Sequence, residues 1–317
     1  MSPGEWPSVA VVVPNHSRID ELREALASLE AQDYPGRVHA YLVYWPRPEV
    51  EPVLAELGES VTAIPSTDEE GRNSLAHKRN LAIVASSEDL VAFLDDDDVW
   101  HPDKICRQVE ALQSDPRLVA VGTSVVNFSD GRPEWGAVSG DLTGIGWYER
   151  HLGHCLCTSS LLMSGEVIRD LLMDERPHWL GVSDYHLKLR LGLIGSLGRV
   201  QAGLVGYRVG HGAMFAQDVR QNLALTLSVL AAAGEVGVGG FARRLVAVRV
   251  LWASIWSQVG IGQVTERAEE RLAEALDGRL FGPLDRIIRV LLVGWWHTTV
   301  GWSGLRRVVG RARGLRR

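Results

Sequence analysis

The feature of this sequence that most constrains its fold is a regular alternation of apolar runs and amphipathic segments over the first 115 residues. Short apolar runs predict strands at residues 9–13, 38–44, 61–64 and 90–94. Each strand is followed by a predicted helix: the first is entered at residues 17–20, and the others occupy residues 50–57, 73–86 and 101–112. This alternation predicts an α/β fold whose mostly parallel sheet has helices on both faces and binds ligands at the carboxyl ends of its strands.

Local signals mark the starts of two of these helices. Ser17 and Asp20 have the spacing of a capping signature, so the first helix should be capped by a side chain at its amino end. Pro102 should lie in the first turn of the helix at residues 101–112, where proline is tolerated.

The pattern changes after Pro116. Residues 118–128 and 154–163 predict strands, and residues 182–194 predict a helix. Beyond Ala216 the apolar segments predict helices only. The sequence therefore predicts one α/β domain at residues 1–216, with halves at 1–115 and 116–216, followed by a helical appendage at 217–317.

Cysteine content and the first residues bear on the compartment. The chain has three cysteines, and the pair Cys155 and Cys157 lies inside a predicted strand, without the spacing of a zinc site. Reduced core thiols are expected. Residues 1–7 do not have the basic start and apolar stretch of a secretory signal, which predicts a cytoplasmic protein.

Charge is distributed unevenly along the chain. The net charge is −6, but the residues after Asp285 include no acid and eight arginines, so the preceding part carries about −14. Such a tail should meet an anionic partner, and the acidic main body argues against nucleic acid. The arginines of the tail are Arg286, Arg289, Arg306, Arg307, Arg311, Arg313, Arg316 and Arg317.

The longest uncharged stretch of the tail, residues 290–305, is 16 residues long, which is too short to span a bilayer. Trp295, Trp296 and Trp302 beside the arginines instead predict an interfacial helix on anionic lipid, peripheral on the inner face of the cell membrane. The alternative is a core-packing helix with a solvated basic end.

Four consecutive aspartates, Asp95 to Asp98, directly follow the apolar strand at residues 90–94. Adjacent carboxylates raise each other's pKa unless a cation or solvent offsets their repulsion. Mg²⁺ or Mn²⁺ suits oxygen ligands, and Mg²⁺ typically takes one or two protein carboxylates together with phosphate oxygens. The alternative is a solvated acidic loop, but apolar segments on both sides of the run favour a metal and diphosphate site.

Residues 93–104 resemble the strand, DxD motif and following helix of family 2 glycosyltransferases. The resemblance covers roughly residues 8 to 211: residues 11–15 are similar to the family's opening strand and nucleotide-binding loop. Gly71, Ala76, Arg79 and Asn80 match the helix before the DxD strand. The resemblance implies a GT-A (nucleotide-diphospho-sugar transferase) fold, with a nucleotide-binding half at 1–115 and an acceptor half at 116–216.

The resemblance also implies two overlapping sets of binding residues. Asp95 and Asp97 would form the DxD, with Asp97 as the direct metal ligand and Asp95 near the ribose and the metal. Lys78 and Arg79 would face the nucleotide or its diphosphate; the alternative is that they are solvated helix residues. The donor set is Pro14, Asn15, Lys78, Arg79, Asp95 and Asp96, and the metal set is Asp95, Asp97 and His211.

Residues 183–190 resemble the family's (Glu/Ser)-Asp-Tyr-x-Leu-x-Leu-Arg segment, which makes Asp184 the expected general base. Its place near a helix amino terminus should favour the charged form that a base needs. The alternative is that Asp184 only caps the helix. Residues 207–211 resemble a Tyr-Arg-x-His segment with one extra residue, so His211 is either a metal ligand or a structural histidine.

One departure from the family pattern concerns the nucleobase. The family's second strand commonly ends in an acidic residue that reads the base, whereas residues 43–47 contain none. Trp45 would either stack on the base or pack in the core. The base is therefore left open, although a UDP-sugar is the expected donor.

The resemblance thus implies a Mg²⁺- or Mn²⁺-dependent, inverting transfer of a sugar from a nucleotide donor to a glycan or lipid-linked acceptor, with envelope or polysaccharide glycan synthesis as the expected context. A non-catalytic sugar-nucleotide-binding scaffold is an alternative from another class. A sugar-phosphate nucleotidyltransferase should have a Gly-rich, Arg-containing loop after its first strand, which residues 14–17 do not provide. A haloacid-dehalogenase-like phosphatase should carry its Asp-x-Asp nearer the amino terminus.

Overall fold

The structure is a computed structural model that describes residues 6–67, 75–136, 141–145, 156–175 and 183–209. All of these lie in the first of the two units into which the chain divides, Met1–Ala213. The predictions for the appendage at 217–317 and its basic tail lie outside the described residues. None of the helices within the described ranges is long and apolar enough to cross a membrane.

The described residues form a mixed sheet of nine strands. These are β1 (Val9–Pro14), β2 (Val38–Tyr44), β3 (Val61–Pro65), β4 (Leu90–Phe93), β5 (Val99–Trp100), β6 (Leu118–Phe128), β7 (Leu142–Gly144), β8 (Leu162–Ser164) and β9 (Ser196–Arg208). The order is β3-β2-β1-β4-β8-β6-β9-β5, and β7 also pairs with β9. The first four strands are mutually parallel, as are β6 and β9, whereas β8 runs antiparallel between β4 and β6. The prediction of a mostly parallel sheet is confirmed.

Within the described residues, six helices lie on the two faces of this sheet. They are α1 (Ile19–Glu30), α2 (Glu51–Glu56), α3 (Leu75–Ala85), α4 (Lys104–Ser114), α5 (Gly165–Leu171) and α6 (Ser183–Ile194). Val9, Val11 and Val13 of β1 pack in one core cluster with α1, α2 and α4. Ala10 and Val12 pack in the other with α3, α5 and α6. Because successive side chains of a strand point to opposite faces, a continuous apolar run such as β1 is buried from both sides.

The register of the parallel strands brings the ends of β1, β2 and β4 to one edge. Pro14 lies opposite Val43, and Val12 lies opposite Phe93. The backbone N–H of Asn15 continues the pairing by donating to the carbonyl of Val43 over 2.8 Å. The segments that follow β1 and β4 are therefore neighbours, although about 80 residues separate them in the sequence.

Both predicted helix starts are wrong in detail. The residue that caps α1 is Arg18, in extended conformation and without a side-chain cap hydrogen bond, because a guanidinium has no acceptor atom; it is instead bound to aspartates of the loop after β4. Helix α4 begins at Lys104, so Pro102 lies in the preceding turn. That turn is fixed instead by the end of α1, since Asp33 N–H donates to the Pro102 carbonyl over 3.0 Å.

The predicted strand at 154–163 is also wrong in its described part. Thr158–Ser160 is a 3-10 turn, and only Leu162–Ser164 is a strand. The cause is the side chains: the hydroxyl groups of residues 158–160 hydrogen-bond to backbone and loop partners, which competes with a strand ladder. Cys157, which precedes the turn, is therefore not a strand residue.

The sequence did not predict β9, the longest described strand. Glycines interrupt its apolar pattern, and its pairing with β6 contains register shifts. Gly206 illustrates why a glycine is needed: a Cβ atom there would lie 2.3 Å from the Pro133 ring. β9 is defined by these close approaches rather than by an apolar alternation of its own.

Candidate active site

The four aspartates form a turn between β4 and β5, closed by a hydrogen bond of 3.1 Å from Asp98 N–H to the Asp95 carbonyl. Their side chains alternate in exposure. Asp96 and Asp98 are buried, whereas the side chains of Asp95 and Asp97 are 28% and 22% exposed. The alternative of a solvated acidic loop is therefore wrong. The two more exposed carboxylates, Asp95 and Asp97, are those of the predicted DxD pair.

Asp96 joins this acidic loop to the segment after β1. Its Oδ2 accepts a hydrogen bond of 2.8 Å from Asn15 Nδ2 and one of 3.1 Å from the backbone N–H of His16. Arg18 lies 3.5 Å from its other oxygen. Burial, reinforced by the charge of Asp97, raises the pKa of Asp96 to about 6 despite these contacts. Asn15 and Asp96, which are both predicted to bind the donor, are thus hydrogen-bonded to each other.

Asp98 anchors the other end of the acidic loop. Ser159 Oγ donates to its Oδ2 over 2.5 Å, and the backbone N–H of Arg208 donates to its Oδ1 over 3.1 Å. The pKa of Asp98 lies well above the usual range, because burial disfavours the charged form and Asp95 and Asp97 repel it. Asp98 is thus enclosed by β9 and the 158–160 turn.

Asp95 and Asp97 each bind one arginine through one oxygen. Arg79 Nη2 donates to Asp95 Oδ1, and Arg18 forms an ion pair with Asp97 Oδ2. Among the described residues, none donates to the second oxygen of either carboxylate. Burial raises the pKa of Asp97, with Arg18 opposing the shift and Asp95 adding to it.

Asp95 and Asp97 thus each keep one oxygen without a described donor, and their negative charges repel each other. Such a pair fits a divalent cation, which requires only one or two protein oxygens when phosphate and water complete its coordination shell. Within the described ranges, no group of three or more His, Cys, Asp or Glu side chains is arranged to hold a metal. The third predicted ligand, His211, lies outside those ranges. The metal assignments of Asp95, Asp97 and His211 stay predictions.

Cationic side chains surround the end of β1. Lys78 Nζ donates to the carbonyl of Asn15 over 2.7 Å, and Arg47 Nη2 lies 3.4 Å from Asn15 Oδ1. Arg79 is only 3% exposed and lies over the Phe93 ring. Lys78 and Arg79 are therefore buried, and the alternative that they are solvated helix residues is wrong. Whether they, Pro14 or Asn15 contact a nucleotide stays a prediction.

Sequence reasoning missed two of these cations, Arg18 and Arg47. Arg18 lies between Ser17 and Asp20 of the predicted capping signature, and its ion pair depends on a loop about 80 residues away. Arg47 had a usable signal, because it follows β2 at the carboxyl edge where the site was expected.

Asp184 lies in the first turn of α6 with its side chain 30% exposed. Its Oδ2 accepts both a hydrogen bond of 3.0 Å from Thr158 Oγ1 and an ion pair of 2.9 Å from Lys188 Nζ. No described residue donates to Oδ1, and no backbone N–H of α6 is among the described donors. The described contacts of Asp184 are thus with Thr158 and Lys188 rather than with the helix backbone, and they fix the carboxylate through Oδ2.

Electrostatics keep Asp184 ionised. Burial by itself would raise its pKa, but the Lys188 ammonium, the charge of Arg79 and the Thr158 hydroxyl together outweigh burial and hold the pKa of Asp184 well below its usual range. The expected charged form is therefore favoured, mainly by Lys188.

We expect Lys188→Met to destabilise the protein at neutral pH. Breaking a fully buried ion pair costs roughly 3–5 kcal/mol, and the partial exposure of Asp184 reduces this to about 2 kcal/mol. Because the pair lowers the pKa of Asp184, its contribution is fully present above the unfolded-state pKa and is lost as pH falls from there through the much lower folded-state pKa. Urea unfolding of wild type and variant from pH 7 down to about pH 2 should show the difference persisting near the unfolded-state pKa and shrinking only in stronger acid.

Lys104→Met is the matched control. Lys104 is as deeply buried as Lys188, but its Nζ donates to the side-chain oxygen Oε1 of Gln108 over 2.6 Å and lies over the Trp100 ring. In the described part of the chain, no carboxylate pairs with Lys104. Burial lowers the pKa of Lys104 well below its usual value, so its charge destabilises the fold. A loss of stability at pH 7 as large as that of Lys188→Met would contradict the role given to the ion pair.

Comparison with known proteins identifies the family and the fold of the domain that carries these residues. Residues 7–167 match the sequence model of a family described as "Glycosyltransferase like family 2". No curated protein sequence matches the chain significantly.

Solved structures share the fold at low sequence identity. Residues 1–349 of S. aureus TarS in complex with UDP-GlcNAc superpose with a TM-score of 0.65 at 12% identity, over 86% of this chain and 81% of that one. The mannosyltransferase PcManGT from Pyrobaculum calidifontis, in complex with GDP-Man and Mn²⁺, gives a TM-score of 0.53 at 18% identity, over 92% and 85% of the two chains. At these identities the likeness shows the fold, and the predicted GT-A architecture of the first unit is confirmed.

Proposed function

This chain belongs to the glycosyltransferase-like family 2, and from that premise we propose that it transfers a sugar from a nucleotide-sugar donor to an acceptor hydroxyl with inversion at the anomeric carbon. The observation that carries the proposal is the arrangement of three carboxylates. Asp95 and Asp97 lie partly exposed after β4, at the carboxyl edge of the sheet. Asp184 is bound to Thr158, which is adjacent in sequence to the residue that holds the acidic loop.

The donor side of the proposal rests on charge. Arg18, Arg47, Lys78 and Arg79 surround the ends of β1 and β4, where a diphosphate would meet fixed positive charge. Structural relatives are complexes with UDP, UDP-GlcNAc and GDP-Man. A nucleotide sugar is thus the proposed donor, with a UDP-sugar first among the candidates.

In the proposed mechanism, Asp184 acts as general base. Thr158 and Lys188 fix Oδ2 and leave Oδ1 to accept the proton from the acceptor hydroxyl as its oxygen attacks the anomeric carbon. The low pKa of Asp184 keeps the base ionised, and its modest intrinsic basicity leaves positioning as its main contribution. A single displacement by an oxygen opposite the leaving group inverts the anomeric centre.

Asp95 and Asp97 would hold Mg²⁺ or Mn²⁺, with His211 as a further candidate ligand. The chemistry such a cation supplies is neutralisation of the charge that develops on the leaving nucleoside diphosphate. A relative is a complex with Mn²⁺, which supports the choice of metal. Arg79 binds one oxygen of Asp95 and so restricts the positions that this carboxylate can take.

The decisive experiment is to measure nucleoside diphosphate release from a panel of UDP- and GDP-sugars with Mg²⁺, Mn²⁺ or EDTA. We expect turnover with one donor that EDTA abolishes. Tight binding of a sugar nucleotide without turnover, whichever candidate acceptor is added to the assay, would instead favour a non-catalytic binding protein.

We also propose that the tail beyond Asp285 holds the enzyme on an anionic membrane surface, which would make a lipid-linked acceptor accessible. Its arginines can each contribute about 1 kcal/mol near such a surface. We expect the intact chain to sediment with anionic liposomes, and less so as salt rises, whereas a truncation ending at Asp285 stays in solution. Equal sedimentation of both proteins, or equal binding to neutral lipid, would remove this reason for a lipid-linked acceptor.

A further inference from the structure

We infer that the turn Thr158–Ser160 is the positioning element of this site: Ser159 sets the shape of the acidic loop and Thr158 orients Asp184, so one turn aligns the donor side with the base. This inference rests on the proposed function for the meaning of the two sides. The contacts themselves do not depend on it.

Ser159 is fully buried and uses its hydroxyl group in both directions. Its Oγ donates to Asp98 Oδ2 over 2.5 Å and accepts a hydrogen bond of 3.1 Å from the backbone N–H of Asp95. The same hydroxyl therefore binds the first and the last aspartate of the loop. Because Asp98 N–H also donates to the Asp95 carbonyl, the turn is closed both directly and through Ser159. The directions of the Asp95 and Asp97 carboxylates follow from the shape of this closed turn.

Thr158, the preceding residue, makes the equivalent contact on the other side. Its Oγ1 donates to Asp184 Oδ2, and Lys188 binds the same oxygen while also donating to the carbonyl of Leu156 over 2.8 Å. The backbone on the amino side of the turn is thus tied to the helix that carries the base. Adjacent residues hold carboxylates that lie almost 90 positions apart in the sequence.

The turn is itself held by the protein core. Ser159 carbonyl accepts from Trp100 Nε1 over 2.9 Å, and Ser160 carbonyl accepts from Gln108 Nε2 over 2.7 Å. Trp100 and Gln108 lie beyond the acidic loop, on β5 and α4. Buried polar groups whose hydrogen bonds are all made are held rigidly. The turn can therefore fix the positions of both the acidic loop and Asp184.

Ser160 provides a matched control for Ser159. It is equally buried, but among the described residues its hydroxyl donates only to the carbonyl of Cys157, the residue before the turn, over 2.7 Å. Ser159→Ala and Ser160→Ala thus remove the same atom from neighbouring buried positions, and only the first removes a contact with the acidic loop.

We expect the variants to affect different constants. Ser159→Ala should raise the Kd for nucleoside diphosphate with Mn²⁺ about tenfold, the lower end of the range for residues that orient metal ligands. Thr158→Val should leave that Kd unchanged and lower kcat about tenfold, because Asp184 loses the hydrogen bond that orients its carboxylate. Ser160→Ala should stay within about twofold of wild type in both constants.

Hydrogen–deuterium exchange of the full chain gives a readout that needs no substrate. The amides of residues 95–98 should exchange faster in Ser159→Ala than in Ser160→Ala, since the Asp95 N–H loses its acceptor. Ser159→Cys keeps the volume but bonds weakly, and it should reproduce the effect if the alanine variant fails to fold.

Each outcome decides the inference. Equal exchange and equal Kd in the Ser159 and Ser160 variants would overturn it, as would a change of the same constant by Thr158→Val and Ser159→Ala. Faster exchange in Ser159→Ala, in a protein that binds no sugar nucleotide, would refute the proposed function while leaving Ser159 as the residue that shapes the loop.

Discussion

Asp97→Ala should abolish the metal-dependent gain in nucleotide affinity and lower transfer by at least about 10²-fold, since a cation on the leaving group is worth several kcal/mol. The substitution removes a carboxylate whose Oδ2 binds Arg18 and whose side chain is partly exposed. Because burial raises the pKa of Asp97, its charge does not stabilise the native state, and the variant should unfold at the same temperature as wild type or higher. Calorimetry with nucleoside diphosphate, with and without Mn²⁺, measures the affinity.

Asp103→Ala is the control for this experiment. Asp103 lies six residues further on, its side chain is 44% exposed, and its nearest ionic contact is His101 at 4.0 Å. It should behave as wild type. A metal-dependent affinity that survives Asp97→Ala would show that other residues hold the cation.

Asp184→Asn should preserve donor binding and lower turnover by roughly 10²–10⁴-fold, the range for loss of a positioned general base. An amide oxygen can still accept from Thr158 and Lys188, so the shape of the site is kept while the proton acceptor is lost. The fall should appear in kcat, with the Kd for nucleotide unchanged. Steady-state kinetics over the acceptor concentration, together with nucleotide titration, separate the two.

Asp170→Asn, an exposed substitution on α5, controls for the change of charge. If Asp184→Asn kept turnover within a few-fold of this control, another residue would be the base. The family's segment would then have been misassigned at residues 183–190.

Asp97→Ala and Asp184→Asn also probe the two sides of the site separately. The first should change nucleotide affinity, and the second should change only the chemical step. Simultaneous loss of nucleotide affinity in Asp184→Asn would indicate that the base also shapes the donor site, for which Arg79 is the connecting residue because its charge acts on Asp184 while it binds Asp95.

The sequence predicted the first four strands with boundaries within one residue of those observed. It succeeded there because each strand is an apolar run buried on both faces, so the signal is local and needs no knowledge of the partner. It failed at β9 and at the 158–160 turn, where glycines and hydroxyl groups respond to distant neighbours.

The carboxylates were found for a similar reason. A run of four acids after an apolar strand is visible by itself, and Asp184 was identified from a matching segment. The sequence could not show which members of the run are exposed. Asp96 and Asp98 are held in the interior by hydrogen bonds from Asn15 and Ser159, which are far away along the chain.

The sequence by itself determined the alternating architecture, the acidic run at the end of β4 and the residue types of the site. Each of these features depends on residues that are close together along the chain. Only the tertiary structure decided that Arg18 lies beside the acidic loop and that Lys78 is buried. It also decided that one turn holds both the acidic loop and Asp184. The physical reason is that hydrogen bonds and ion pairs act over a few ångströms in space, and folding alone brings such partners within that distance.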